Sequence, residues 1–192
     1  MAFMLTACAV EACGEPEELP ANNVCANMRP VCTADGLKFP AGVNSGSAES
    51  GNNYQCLSTT PNPAWYYLQI DQAGGIVMAL SSTSDIDFAL WGPYDNIAAA
   101  IAACGSLPAP KDCSYSPAAV ETPEVPGGAQ TGKVFVLLLT NYANVEQEVS
   151  IERTGGPGTT SCDVLRKTLK RRESKAQRCP STVVVRMLAR HA

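Results

Sequence analysis

Two neighbouring stretches in the carboxyl-terminal half of the chain decide its fold class. The first, Val134-Phe135-Val136-Leu137-Leu138-Leu139, is the most apolar run of the sequence. The second, Val145-Glu146-Gln147-Glu148-Val149-Ser150-Ile151, puts its valines and isoleucine on one face of an extended chain and its glutamates on the other. A continuous apolar run predicts a strand buried on both faces, and alternation predicts a strand with one wet face. With Thr140-Asn141-Tyr142 between them, the two stretches predict an antiparallel hairpin.

Working outward, three more segments predict short strands bounded by Gly, Pro or other turn residues: 65–70, 76–80 and 87–91. The Ala-rich segment from Asn96 to Ala103 predicts one short helix with a polar cap. Strands at about ten-residue spacing predict an all-β, antiparallel sandwich. A chain of 192 residues, 45% of them hydrophobic, is long enough for one such domain with tails.

Charge divides the chain into an acidic body and a basic end. Residues 1–162 carry 5 Lys or Arg and 16 Asp or Glu, a net charge of −11, whereas residues 163–192 sum to +7. We therefore predict a sandwich over 24–163 and an irregular or helical basic tail over 164–192. No nucleic-acid partner is expected, because the body is acidic and the tail lacks interleaved aromatic residues. A weaker alternative is that the basic tail binds nucleic acid or anionic lipid.

The amino terminus resembles a lipoprotein signal. Leu5-Thr6-Ala7-Cys8 is similar to the lipobox of bacterial lipoproteins, in which Cys8 is lipidated, although no basic region precedes it. Residues 1–23 are then a lipoprotein-like terminus and a polar tether. A lipid anchor is the one membrane attachment predicted, because no run reaches the roughly 18 apolar residues of a membrane span.

Nine cysteines without a Cys-x-x-Cys pair favour disulfides over a metal site. Disulfides persist in oxidising compartments, which predicts export. Six of the cysteines lie in the body and allow 15 pairings. Position in the chain favours Cys104–Cys113 across a turn-rich loop and Cys25–Cys162 near the domain ends, which leaves Cys32–Cys56.

Several segments appear in an order that resembles a known module. They include Tyr54-Gln55-Cys56-Leu57, Pro61-Asn62-Pro63-Ala64-Trp65, Trp91-Gly92-Pro93-Tyr94, Asp112-Cys113-Ser114-Tyr115-Ser116 and Thr154-Gly155-Gly156. The stretch from Cys32 to Cys162 resembles a cysteine-containing β-sandwich of secreted and surface proteins of gliding and adhesive Gram-negative bacteria. That module is similar to CUB and pre-peptidase C-terminal domains. The resemblance implies a jelly-roll-like, non-catalytic sandwich.

Similarity to CUB domains further implies a calcium site. Its ligands would be Glu49, Asp85 and Asp87, with Asn141, Tyr142 or backbone carbonyls completing the oxygen shell that Ca²⁺ prefers. The alternative is that the two aspartates accept hydrogen bonds from loop amides. A weaker alternative makes Glu49 and Asp87 a glycosidase pair.

These observations predict a non-catalytic extracellular or outer-membrane surface module that binds a protein or a glycan in adhesion, stabilised by calcium and anchored as a lipoprotein. The alternative function is an accessory domain of an exported hydrolase. An enzyme is not predicted: the one histidine, His191, is the penultimate residue, which excludes a Ser-His-Asp or Cys-His site in the body. The adjacent Trp65-Tyr66-Tyr67 predict core packing, with sugar stacking as the alternative.

Overall fold

A computed structural model describes residues 21–33 and 36–163. After a single 3₁₀ turn, Cys25–Asn27, the chain forms eleven strands and one α-helix within these residues. In chain order they are β1 (Arg29–Pro30), β2 (Leu37–Pro40), β3 (Pro63–Gln72), β4 (Ile76–Ser81), β5 (Asp87–Tyr94), α1 (Ile97–Ala102), β6 (Asp112–Ser114), β7 (Val120–Glu121), β8 (Glu124–Val125), β9 (Val134–Thr140), β10 (Glu148–Gly155) and β11 (Thr159–Thr160).

The strands form two sheets, which confirms the predicted all-β sandwich. The first sheet has the order β1-β3-β9-β5-β6, with β11 also paired to β3. The second has the order β2-β10-β4-β7, with β8 also paired to β4. Every pairing is antiparallel except that of β1 with β3.

An apolar cluster fills the space between the sheets, and we call it the inter-sheet core. The first sheet contributes alternate residues of β9, among them Phe135 and Leu137. The second sheet contributes alternate residues of β4 and β10, among them Leu80 and Ile151. The period of two follows from the strand geometry, in which successive side chains point to opposite faces.

A second apolar cluster, the outer core, covers the other face of the first sheet. Here β9 presents Val136 and Leu138, and the indoles of Trp65 and Trp91 stack with ring centroids 5.7 Å apart. Helix α1 and the irregular segments 48–57 and 103–107 close this cluster from outside. All of β9 is therefore buried, as predicted, and the aromatics at 65–67 are buried too, as core packing requires.

The predicted hairpin between the two diagnostic stretches is wrong. Strand β9 is central in the first sheet, between β3 and β5, whereas β10 pairs with β2 and β4 in the second. Both edges of β9 are already occupied, so the segment 141–147 carries the chain across to the other sheet. The alternating strand begins at Glu148, and Val145 is exposed in the connection.

The predicted helix is confirmed at Ile97–Ala102. Asn96 caps it, because its side-chain oxygen accepts a hydrogen bond from the Ala99 amide at 2.9 Å. No helix among the described residues is long and apolar enough to cross a membrane. The predicted lipidation site Cys8, its tether up to residue 20 and the basic tail 164–192 lie outside the described residues.

The six body cysteines all form disulfides, but none of the three favoured pairings occurs. The bridges are Cys25–Cys104, Cys32–Cys162 and Cys56–Cys113, with Cα atoms 5.7, 5.0 and 6.3 Å apart. These separations lie in the range that a disulfide spans. The favoured pair Cys25–Cys162 fails because the fold separates its members: Cys25 packs in the outer core near α1, whereas Cys162 follows β11 at the edge of the first sheet.

Candidate functional site

Three loops meet at one end of the sandwich because three neighbouring strands of the first sheet end there. In the ladder, Asp87 at the start of β5 lies opposite Thr140 at the end of β9. The loops 82–86, 115–119 and 141–147 are joined by backbone hydrogen bonds. Ser82 donates to the Ala119 carbonyl at 2.8 Å, and Ala143 donates to the Asp85 carbonyl at 3.3 Å. We call this region the three-loop end.

Two tyrosines are exposed on these loops. The rings of Tyr115 and Tyr142 have centroids 5.6 Å apart and are nearly perpendicular, at 89°. Their side chains are 36% and 47% exposed, and the Tyr115 hydroxyl shares a 3.2 Å hydrogen bond with the Thr59 hydroxyl. The edge-to-face arrangement is a favourable one for aromatic pairs, so the two rings hold each other in place.

Behind the tyrosines lies a group of three carboxyl groups. Asp87 is 2% exposed, and its carboxylate accepts hydrogen bonds from the Ser116 amide at 3.1 Å and the Thr140 hydroxyl at 3.5 Å. Glu121 in β7 accepts one from the Ser116 hydroxyl at 2.7 Å. One oxygen of Asp85, Oδ1, is buried without a hydrogen-bond partner.

The three carboxyl groups repel one another. Burial, then the charge of Asp85 and that of Glu121, raise the pKa of Asp87 to about 7, although the hydrogen bonds from Ser116 and Thr140 oppose the shift. Burial and Glu121 also raise the pKa of Asp85. Burial and mutual repulsion thus bring Asp87 close to its titration midpoint at neutral pH.

The side-chain amide of Asn141, a predicted calcium ligand, is engaged within the fold at both its nitrogen and its oxygen. Its nitrogen donates to the carbonyls of Gly42 at 2.9 Å and Val145 at 2.8 Å, and its oxygen accepts from the Gln147 amide at 2.8 Å. The side chain is 2% exposed. Asn141 therefore positions the loop that carries Tyr142.

Glu49 is not brought together with the aspartates. Its Oε1 accepts the Cys25 backbone N–H at 2.6 Å, and its backbone carbonyl accepts from the Tyr54 hydroxyl at 2.6 Å. These neighbours belong to the outer core, whereas the partners of Asp87 belong to the three-loop end. The glycosidase pair of Glu49 and Asp87 has no support in this arrangement.

The predicted calcium shell of Glu49, Asp85, Asp87 and Asn141 is thus not formed as one group. Among the described residues, no three or more His, Cys, Asp or Glu side chains stand where they could hold a metal ion. Asp87 does what the alternative predicted, since it accepts a loop amide. Calcium binding stays a prediction.

Sequence reasoning missed Tyr115 and Glu121 as members of the site. The signal for Tyr115 was its place directly after a short strand, as Tyr142 follows the end of β9. Glu121 carries no local signal, because it reaches the site from the second sheet, where it pairs with Leu80 of β4.

No family model and no curated protein matches this chain. Among solved structures, it is similar to the crystal structure of Aeromonas hydrophila PliG, described as a periplasmic lysozyme inhibitor of g-type lysozyme. The identity is 10%, the match covers 68% of this chain and 97% of that one, and the TM-score is 0.34. A likeness at that level assigns no function, and the family resemblance drawn from the sequence stays a prediction.

Proposed function

We propose that this chain is an exported, non-catalytic protein that binds a partner at the cell surface through its three-loop end. The observation that carries the proposal is where large apolar side chains are exposed. The described part of the chain exposes six of them, and four lie on or directly beside the three loops: Tyr115, Val120, Tyr142 and Val145. A concentration of exposed apolar side chains is typical of an interaction site.

Export is supported by the three disulfides that cross-link the described residues. Such bonds persist outside the reducing cytosol. We expect at most three free thiols when protein purified from its native compartment is denatured and titrated, because six of the nine cysteines are paired. Six or more free thiols would contradict export.

Binding rather than catalysis is supported by how the polar groups of the three-loop end are engaged. Asp87 and Glu121 accept hydrogen bonds from Ser116, and the Asn141 amide bonds to Gly42 and to its own loop. The large exposed side chains here are the phenol rings of Tyr115 and Tyr142 with two valines, and tyrosine rings supply contact area at low conformational cost.

The direct experiment measures attachment of the labelled full-length protein to cells of the organism that makes it. We expect Tyr115→Ala combined with Tyr142→Ala to abolish attachment, because both rings leave the exposed patch. Ile101→Ala is the matched control, since it removes an exposed apolar side chain from helix α1. Protease treatment and periodate treatment of the cells separate a protein partner from a glycan.

Attachment that is equal in the double tyrosine variant and the wild type would overturn the proposed function. Circular dichroism of each variant checks that the sandwich is intact. Both tyrosines are substantially exposed, so we expect the fold to survive their truncation.

A further inference from the structure

The carboxyl groups of the three-loop end have no cationic partner among the described residues. The described residues form two salt bridges, Lys38–Glu148 and Lys133–Asp95, and neither involves a carboxyl group of the three-loop end. Asp85 keeps a buried oxygen without any donor, and the raised pKa values of Asp85 and Asp87 reflect burial and mutual repulsion. The negative charge at this end is therefore not neutralised within the described fold.

The exposed tyrosine pair lies beside these groups, because Ala143, the residue after Tyr142, donates its backbone N–H to the Asp85 carbonyl at 3.3 Å. The pKa of Tyr142 is raised, first by the neighbouring Tyr115 phenol and further by the charges of Asp85 and Asp87. A cation placed against the Tyr142 ring would interact with the ring face and with both carboxylates. A neutral sugar would gain only the contact with the ring face.

The charge of the whole domain favours the same class of ligand. The described residues contain 12 Asp or Glu and 5 Lys or Arg, a net charge of −7. Such a field raises the encounter rate with cationic surfaces and repels anionic ones, including phosphate-bearing polymers.

Resting on the proposed function, we infer that the partner is a protein and that the three-loop end receives an arginine side chain from it. The guanidinium group stacks on aromatic faces and donates hydrogen bonds to carboxylates at the same time. In this arrangement Tyr142 supplies the ring, and the half-buried Asp85 carboxylate supplies the acceptor through its other oxygen rather than the buried Oδ1. Tyr115 holds Tyr142 in place.

The test uses the full chain and three amidated peptides, each with three repeats of Gly-Arg, Gly-citrulline or Gly-Glu. Citrulline keeps the planar shape of arginine without its charge. We expect the arginine peptide to bind at low salt, to lose affinity as salt is added, and to shift the tyrosine ring signals in NMR spectra. We expect no binding of the other two peptides.

Point variants separate the contribution of the Tyr142 ring from that of the Asp85 carboxylate. Tyr142→Leu should lower the affinity for the arginine peptide about two- to fivefold. Tyr142→Phe, which keeps the ring, should bind the peptide like the wild type. Asp85→Asn should also weaken it about two- to fivefold, and the loss should fade at high salt.

Equal binding of the arginine and citrulline peptides, or binding of neither at millimolar concentration, would overturn the arginine assignment. If the double tyrosine variant nevertheless loses attachment to cells, the proposed function stands without it. Attachment that survives protease and is lost after periodate would also overturn the arginine assignment, since the partner would be a glycan. Unchanged attachment of the double variant overturns the proposed function itself.

Discussion

The inter-sheet core and the outer core lie on opposite faces of the same strand, β9, but their walls are built differently. Both walls of the inter-sheet core are sheets, whose backbone groups are paired in ladders. The outer core has a sheet on one side and, on the other, helix α1 with irregular segments. Two disulfides, Cys25–Cys104 and Cys56–Cys113, fasten that irregular cover.

The difference shows how irregular chain can close a core. Without a ladder, the cover needs other acceptors for its backbone N–H groups. Asn52 supplies one: its oxygen accepts from the amides of Gly105 at 2.8 Å and Leu107 at 3.0 Å. Side-chain acceptors such as Asn52, together with two cross-links, thus hold the cover where no third sheet pairs its backbone.

The largest effect is expected from truncating neighbouring leucines on the two faces of β9. Leu137 and Leu138 are both 0% exposed, the first in the inter-sheet core and the second in the outer core. Leu137→Ala should cost about 4–5 kcal/mol and Leu138→Ala about 2–3 kcal/mol, because an irregular cover relaxes into the cavity more readily than a ladder. Urea denaturation of both variants measures the difference in the free energy of unfolding.

The two variants control for each other, since strand, residue type and burial are the same. Equal losses would mean that the cover is as rigid as a sheet. A larger loss for Leu138→Ala would reverse the comparison between the two cores.

The same two faces explain how much of the fold the sequence could predict. The run at 134–139 predicted a strand buried on both sides, and β9 is one, because hydrophobic pattern is a local property. Which sheet a strand joins depends on contacts between distant residues, so the hairpin to β10 was wrong. The disulfide pairings failed for the same reason, since partners are 57 to 130 residues apart.

The next effect tests the cross-links of the cover. Replacing Cys25 and Cys104 together by Ala should cost about 2–4 kcal/mol, because the bridge closes a long loop in the unfolded chain. We also expect acrylamide to quench the fluorescence of Trp65 and Trp91 more strongly, since both indoles lie under the cover.

The matched control replaces Cys32 and Cys162, which join the ends of the domain beside β3. This variant should lose a similar free energy of unfolding without the increase in quenching. Equal quenching in both double variants would show that the bridges do not act locally on the cover.

A smaller effect is expected at Asn52, whose side chain is 9% exposed. Asn52→Ala leaves the amides of Gly105 and Leu107 without their acceptor and should cost about 1–3 kcal/mol. Hydrogen exchange of those two amides should become faster. Asn52→Asp keeps the acceptor and should protect both amides; exchange as fast as in the Ala variant would assign the role of Asn52 to something other than its oxygen.

The candidate site was predictable only where its parts are close in sequence. Asp85 and Asp87, two residues apart, do lie within electrostatic range of each other. The sequence could not show that Glu49 lies outside the site and Glu121 within it, because each reaches its neighbours through long-range packing. The loop-holding bonds of Asn141 could not be predicted either, because an amide beside a strand end can hold a loop as well as bind an ion.

The smallest effect is expected at Asp87, which we compare with Asn52. Both side chains accept backbone N–H groups in a buried setting, but only Asp87 can ionise. The pKa of Asp87 is about 7 in the folded chain against an ordinary value of 3.8, so the folded state binds more protons between these values. Its contribution to stability is therefore complete below about pH 4 and is lost as pH rises through about 7.

Asp87→Asn keeps an acceptor for the Ser116 amide and removes the charge. Relative to the wild type, we expect this variant to gain stability steadily as pH increases from about 4 to 7, because only the wild type must ionise a buried carboxyl group. Urea denaturation across that range, with Glu148→Gln at the exposed salt bridge as the control, measures the difference. A difference that is independent of pH, or that favours the wild type as pH rises, would mean that the carboxylate at this end is stabilised by a cation or by solvent rather than strained by burial.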